Sequence, residues 1–128
     1  MNYQAREIYY AFKGKLVGTK FMKICVCETL SKMTPEIINF ITSNCWFFSS
    51  LDDAWAFTFT GNDLKDNHLI FLSDDLLKEE LNQIYYSIAH EIGHVMLKHR
   101  NSTLVKQSKV EIKIQEKEAD IFAKQFIY

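Results

Sequence analysis

Three cysteines, four glycines and a single proline are all that the 128 residues hold of those types. Three thiols make an odd and sparse set, unsuited to the disulfide framework of a small secreted domain, and a reducing, cytoplasmic setting fits them better. With one proline, no low-complexity run and no internal repeat, nothing marks a linker, so the chain reads as a single domain over residues 1–128. Long hydrophobic runs are missing too. The patches around Trp46–Phe48 and Leu69–Leu72 fall far short of the roughly 20 apolar residues that span a bilayer. The opening Met1-Asn2-Tyr3-Gln4-Ala5-Arg6-Glu7 is too polar for the apolar core of a secretory signal. Neither sign of charge dominates: the formal net charge is -1, which removes the electrostatic case for a nucleic-acid or anionic-membrane partner.

What remains is apolar and aromatic. These residues make up 48% and 14% of the chain, enough for one sizeable core. Ala5, Ile8, Tyr9 and Phe12 recur at helical spacing before Gly14 and Gly18, which predicts a first helix over about residues 3–13. Phe21–Thr29 is apolar and β-branched enough for a strand. On a strand Cys25 and Cys27 would share a face, but no second cysteine pair stands at zinc-site spacing, so they read as core residues rather than ligands. Thr34-Pro35-Glu36 starts a second helix that runs through Ile37, Ile38 and Ile41. Trp55, Phe57 and Phe59 alternate with small or polar residues, and Ala54–Thr60 with His68–Leu72 forms a predicted hairpin across a turn-rich connector. The pattern is helical again from about Glu79 to Lys98 and from about Lys109 to Ile127. The expectation is an α+β domain with about three strands, packed on the penultimate helix and on a C-terminal helix rich in glutamate. Residues 1–53 carry no assigned role within it.

The penultimate helix holds His90-Glu91-Ile92-Gly93-His94. Histidines four apart on a helix lie about 40° apart, so both imidazoles can reach one metal ion. Zinc takes neutral imidazole readily, needs a third protein ligand, and keeps one position for water. Glu91 adjoins that face and is placed to take a proton from the water. In the C-terminal helix Ile112, Ala119, Ala123 and Phe126 share a face, and Glu116 falls within this apolar stripe. A lone carboxylate facing a core is costly unless a cation compensates it, which makes Glu116 the candidate third ligand. Asp120, one turn on, is positioned to accept from the outer nitrogen of a metal-bound histidine. Glu118 points nearly the other way and reads as solvated. Leu81, Ile84, Ile88, Ile92 and Val95 form a stripe opposite the histidines, and Gly93 would let a neighbouring helix approach.

This run, followed by Glu116-Lys117-Glu118-Ala119-Asp120, resembles the gluzincin metallopeptidases, with HExxH and a downstream ExxAD element. Ala89–His99 together with Ile121-Phe122-Ala123 looks like the ImmA/IrrE peptidases, which cut helix-turn-helix repressors. The ExxAD ending is also similar to HtpX and the CAAX-prenyl endopeptidases, and to their soluble relatives, the minigluzincins. The resemblance covers about residues 54–127. It implies a Zn2+ cofactor held by His90, His94 and Glu116, with Glu91 as general base and acid and Asp120 behind a ligand. It implies a peptide or protein substrate, with a repressor target being a separate protein. The metzincin pattern is excluded, because Leu97 and Arg100 stand where it wants Gly and His.

His99 is turned about 180° from His90 on a continued helix and reads as a surface residue. The sequence identifies no oxyanion helper: Tyr85, Tyr86, His68 and Arg100 lie near the motif and read as packing or surface residues, with Tyr86, on the metal side, the best placed of them. An extended substrate is expected to add itself to a free sheet edge, for which His68–Leu72 is the candidate strand. Two functional readings stay open: an active endopeptidase, and a catalytically silent or latent zinc-binding interaction module, a candidate regulator of a separate repressor. Glu91 favours the first, since a closed structural site has no use for a base.

Overall fold

The computed structural model describes residues 2–50, 56–60, 67–99 and 108–127. Its elements run α1 (Tyr3–Ala11), β1 (Leu16–Val17), α2 (Lys20–Ser31), α3 (Pro35–Asn44), β2 (Cys45–Ser50), β3 (Ala56–Thr60), β4 (His68–Ser73), α4 (Leu81–Met96) and α5 (Lys109–Phe126). The α+β expectation holds. Helix starts follow local chemistry: the side-chain oxygens of Asn2, Thr19, Thr34 and Ser108 accept from Ala5, Met22, Ile37 and Glu111 backbone N–H groups.

One expected strand is a helix. Residues 21–29 lie within α2, where Met22, Cys25, Val26, Thr29 and Leu30 are buried at helical spacing while Lys20 and Lys32 face solvent. Thr19 caps the helix, and the buried Thr29 hydroxyl donates to the Cys25 carbonyl at 2.7 Å, which satisfies a polar group in the core. Local β propensity loses to this two-sided burial. Cys25 and Cys27 are both buried on α2, and burial, with Glu28 nearby, pushes their thiols up to about 11 and about 12.

Two strands were not expected, the short β1 and the longer β2. Trp46–Phe48 has no visible period because the run is apolar throughout, yet Cys45 and Phe47 are fully buried while Trp46 is exposed. Helix α3 leads straight into it, Asn44 ending the helix and Cys45 beginning the strand. The sheet therefore has four strands rather than about three, in the order β1-β2-β4-β3. The first three of these are parallel, and β3 closes the sheet antiparallel to β4, with Ala56 opposite Leu72 and Thr60 opposite His68. The predicted hairpin is present; residues 54–55 and 61–66 lie outside the described residues.

This order corrects the edge. Strand β4 pairs with β2 on one side, Cys45 opposite His68 through Ser50 opposite Ser73, and with β3 on the other. His68–Leu72 is interior, and β3 is the edge on that side of the sheet.

The core lies between one sheet face (Cys45, Phe47, Ile70, Leu72) and the helices. Phe12 of α1 meets Phe47 edge to face at 5.8 Å. Helix α4 runs through the middle, packed against α2, β3, β4 and α5, with Ile84, Ile88 and Ile92 completely buried. Leu81 at its start is exposed. Only the second half of α5 joins this core: Ala119 and Ala123 are buried, whereas Val110, Ile112 and Ile114 are exposed. Among the described residues no helix is long and apolar enough to cross a membrane.

Since Ile88 sits at the centre of this arrangement, Ile88→Ala is expected to lower the unfolding free energy by about 2–5 kcal/mol. Urea denaturation followed by circular dichroism measures it; a loss below about 1 kcal/mol would contradict the central placement of α4.

Candidate metal centre

Successive turns of α4 carry His90 and His94, whose ring centroids lie 4.7 Å apart. Helix α5 crosses beside them. The approach is close because Gly93 has no side chain: a Cβ there would stand 3.0 Å from Phe122 Cδ1. Glu116 is thereby brought to the imidazoles from the other helix. Its Oε2 is 2.8 Å from His90 Nε2, and its Oε1 is 3.1 Å from His94 Nε2. The two Nε2 atoms face each other at 3.1 Å. One donor atom from each of the three residues lies within 4.8 Å of the other two, close enough to hold a metal ion.

Behind His90, Asp120 Oδ1 stands 2.8 Å from Nδ1 and also accepts the Tyr86 hydroxyl at 2.9 Å. A carboxylate can only accept, so the partner assigns the proton of neutral His90 to Nδ1 and leaves a lone pair on Nε2. That lone pair points at an anionic carboxylate and at a second imidazole nitrogen. A metal ion placed between these acceptors would satisfy all three at once. Burial lowers the pKa of His94 and outweighs the opposing pull of Glu116; His90 and His99 lower it further. A neutral His94 is what a metal requires of a ligand. The donor set, two imidazoles and one carboxylate, is the chemistry that suits zinc.

Glu91 is buried, and its Oε2 lies 4.0 Å from His90 Nε2, beside the three converging donors. The side chain of Glu116 is 55% exposed, which corrects one step of the sequence reasoning. It stands at the rim where α5 leaves the core, so the case for a cation rests on the converging donor atoms and not on desolvation.

Tyr86, the best placed of the four oxyanion candidates, has its hydroxyl on Asp120, and burial followed by that bond pushes it up to about 12. In this arrangement its O–H steadies the carboxylate behind His90. Tyr85 turns to α2, donating to Glu28 Oε2 at 2.5 Å under the ammonium of Lys32, and its pKa is raised by burial and by Glu28. His68 lies on β4 with its ring 6.1 Å from that of Phe40. Arg100 falls outside the described residues.

His99 is not the surface residue its helical angle suggests. It is buried, its Nδ1 is 2.9 Å from His94 Nδ1, and its Nε2 is 3.2 Å from Glu118 Oε1. The reason is that α4 ends at Met96 and Lys98 takes a left-handed conformation with φ 57°, which folds His99 back. No glycine or asparagine announces that turn, so no local signal in the sequence marks it. Glu118, expected to be solvated, is thereby drawn toward the centre although its side chain remains half exposed.

The segment that forms this centre, residues 81–128, matches the model of the peptidase U49 family. The matched part contains α4 and α5 with His90, His94, Glu116, Glu118 and Asp120, and the match supports a peptidase. No curated protein and no solved structure matches the chain.

A branched side chain in place of Gly93 would push against Phe122. Gly93→Val is expected to reduce stability by about 1–3 kcal/mol. Thermal unfolding of the metal-free protein checks this, and an unchanged midpoint would mean α5 does not dock as described.

Proposed function

We propose that the chain is a zinc-dependent endopeptidase of the gluzincin type, hydrolysing peptide bonds in a protein substrate. One observation carries this reading: His90 Nε2, His94 Nε2 and the Glu116 carboxylate converge from two helices beside a buried carboxylate, Glu91. The peptidase U49 match over the same residues supports it.

A bound zinc ion would supply Lewis acidity toward water and toward the scissile carbonyl. The chain's own residues do the rest. Asp120, steadied by Tyr86, keeps the Nε2 lone pair of His90 turned inward. Glu91 removes a proton from the attacking water and later delivers it to the departing amine nitrogen. A peptide lying extended along β3, the edge strand against which α4 packs, would present its carbonyls beside the histidines. The three buried, unpaired cysteines suit a reducing, cytoplasmic setting.

Glu91→Gln is expected to retain zinc at one equivalent and to lose at least about 100-fold in cleavage of an unfolded protein, read by gel densitometry. Equal cleavage by the two forms would rule out the role of Glu91. Zinc retained with no cleavage by either form, across a panel of unfolded proteins, would favour a silent binding module. Zinc at about 100 times its Kd is further expected to stabilise the fold by about 2.7 kcal/mol over the chelated protein. Identical melting curves with and without chelator would oppose a bound metal.

A further inference from the structure

We propose that His99 and Glu118 form a relay that fixes the tautomer and orientation of His94 and so sets the affinity of the centre for its metal ion. The inference rests on the zinc reading above. It gives the second imidazole the support that Asp120 gives the first.

The relay is built by the way α4 ends. Lys98 donates its backbone N–H to the Val95 carbonyl at 3.1 Å, and His99 donates its own to the His94 carbonyl at 3.0 Å. With Lys98 left-handed between them, these are the paired bonds of a Schellman closure. In such a closure the residue after the left-handed position folds over the residue whose carbonyl takes the longer-range bond. The two side chains that meet there are commonly apolar. Here they are imidazoles, His99 over His94, with ring centroids 5.1 Å apart. The left-handed conformation is sterically disfavoured for lysine. The bonds that His99 makes through its backbone and both ring nitrogens hold it.

With both imidazoles neutral, the protons traced from the carboxylate have one arrangement. Glu118 Oε1 accepts, so His99 Nε2 carries a proton and donates across 3.2 Å. A neutral His99 with its proton on Nε2 has a lone pair on Nδ1. Across 2.9 Å, His94 Nδ1 must therefore be the donor. His94 Nε2 is left with its lone pair facing Glu116 and His90, which is the form a metal binds. A carboxylate at the far end makes His99 a better acceptor and His94 a more basic ligand. Because His99 is buried, water does not readily replace it as the acceptor. Alternate residues of α5 thus serve three ends: Glu116 at the centre, Glu118 behind His94 through His99, and Asp120 behind His90.

The test compares zinc affinity, by competition with a chromogenic chelator, in wild type, His99→Phe, Glu118→Ala and the double variant. Far-UV circular dichroism of each metal-free form checks folding. His99→Phe fills the space without offering an acceptor and is expected to weaken zinc binding about 10–100-fold. Glu118→Ala, an exposed site that leaves the fold intact, is expected to weaken it about tenfold. The double variant should match His99→Phe within about threefold, because Glu118 acts through His99. Long-range 1H–15N correlation spectra of the zinc-loaded wild type should show His94 protonated at Nδ1 and His99 at Nε2. Wild-type affinity in Glu118→Ala or in folded His99→Phe, fully additive losses, or a proton on His99 Nδ1 would each overturn the relay while leaving the zinc reading intact. Wild-type protein that takes up no zinc would overturn the zinc reading and the relay with it.

Discussion

Glu116 reaches His90 and His94 only because α5 lies close against α4, and it lies that close because Gly93 leaves room for Phe122. The contact is ordinary helix packing, with Ala119 and Ala123 completing it from the α5 side. Everything chemical in the molecule depends on it. The imidazole pair is built into one helix, but the carboxylates that complete and support it come from the other. A shift of α5 by an ångström would separate acceptors that now face each other at 2.8–3.1 Å.

The remainder of the fold holds α4 in place for that contact. Its aliphatic side, Ile84, Ile88 and Ile92, is enclosed by the sheet and by α2, so the helix has one seating. The histidine side faces the rim, where α5 changes from a packed helix at Ala119 and Ala123 to an exposed one at Val110, Ile112 and Ile114. The buried half of α5 supplies rigidity and its exposed half supplies charge. Glu116, Glu118 and Asp120 sit at the boundary, with a firm backbone and solvent access together. A site able to hold a metal ion and to admit a substrate would need that combination.

Legibility in the sequence varied with the kind of signal. The helix start at Pro35 was readable because its capping side chain, Thr34, bonds to an N–H three residues away, a purely local event. The β3–β4 hairpin was readable from alternation and a turn-rich connector. Residues 21–29 misled because β-branched and apolar content is shared by strands and by helices buried on two sides. At 45–50 the apolar run concealed its own alternation, and without β2 the sheet order could not be right, so an interior strand was taken for an edge. His99 escaped because one left-handed residue, Lys98, reverses the direction that helical periodicity assigns to it.

By itself, the sequence determined the pairing of His90 with His94 and the place of Glu91 beside them. Helical geometry sets those relations within five residues, whatever surrounds them. Tertiary structure decided which carboxylate meets the imidazoles, how exposed it is, and which side chains stand behind each ring. Apart from His99, which a left-handed Lys98 folds onto His94 five positions back, those are contacts between residues 19 to 34 positions apart, made through backbone placement that no local spacing encodes.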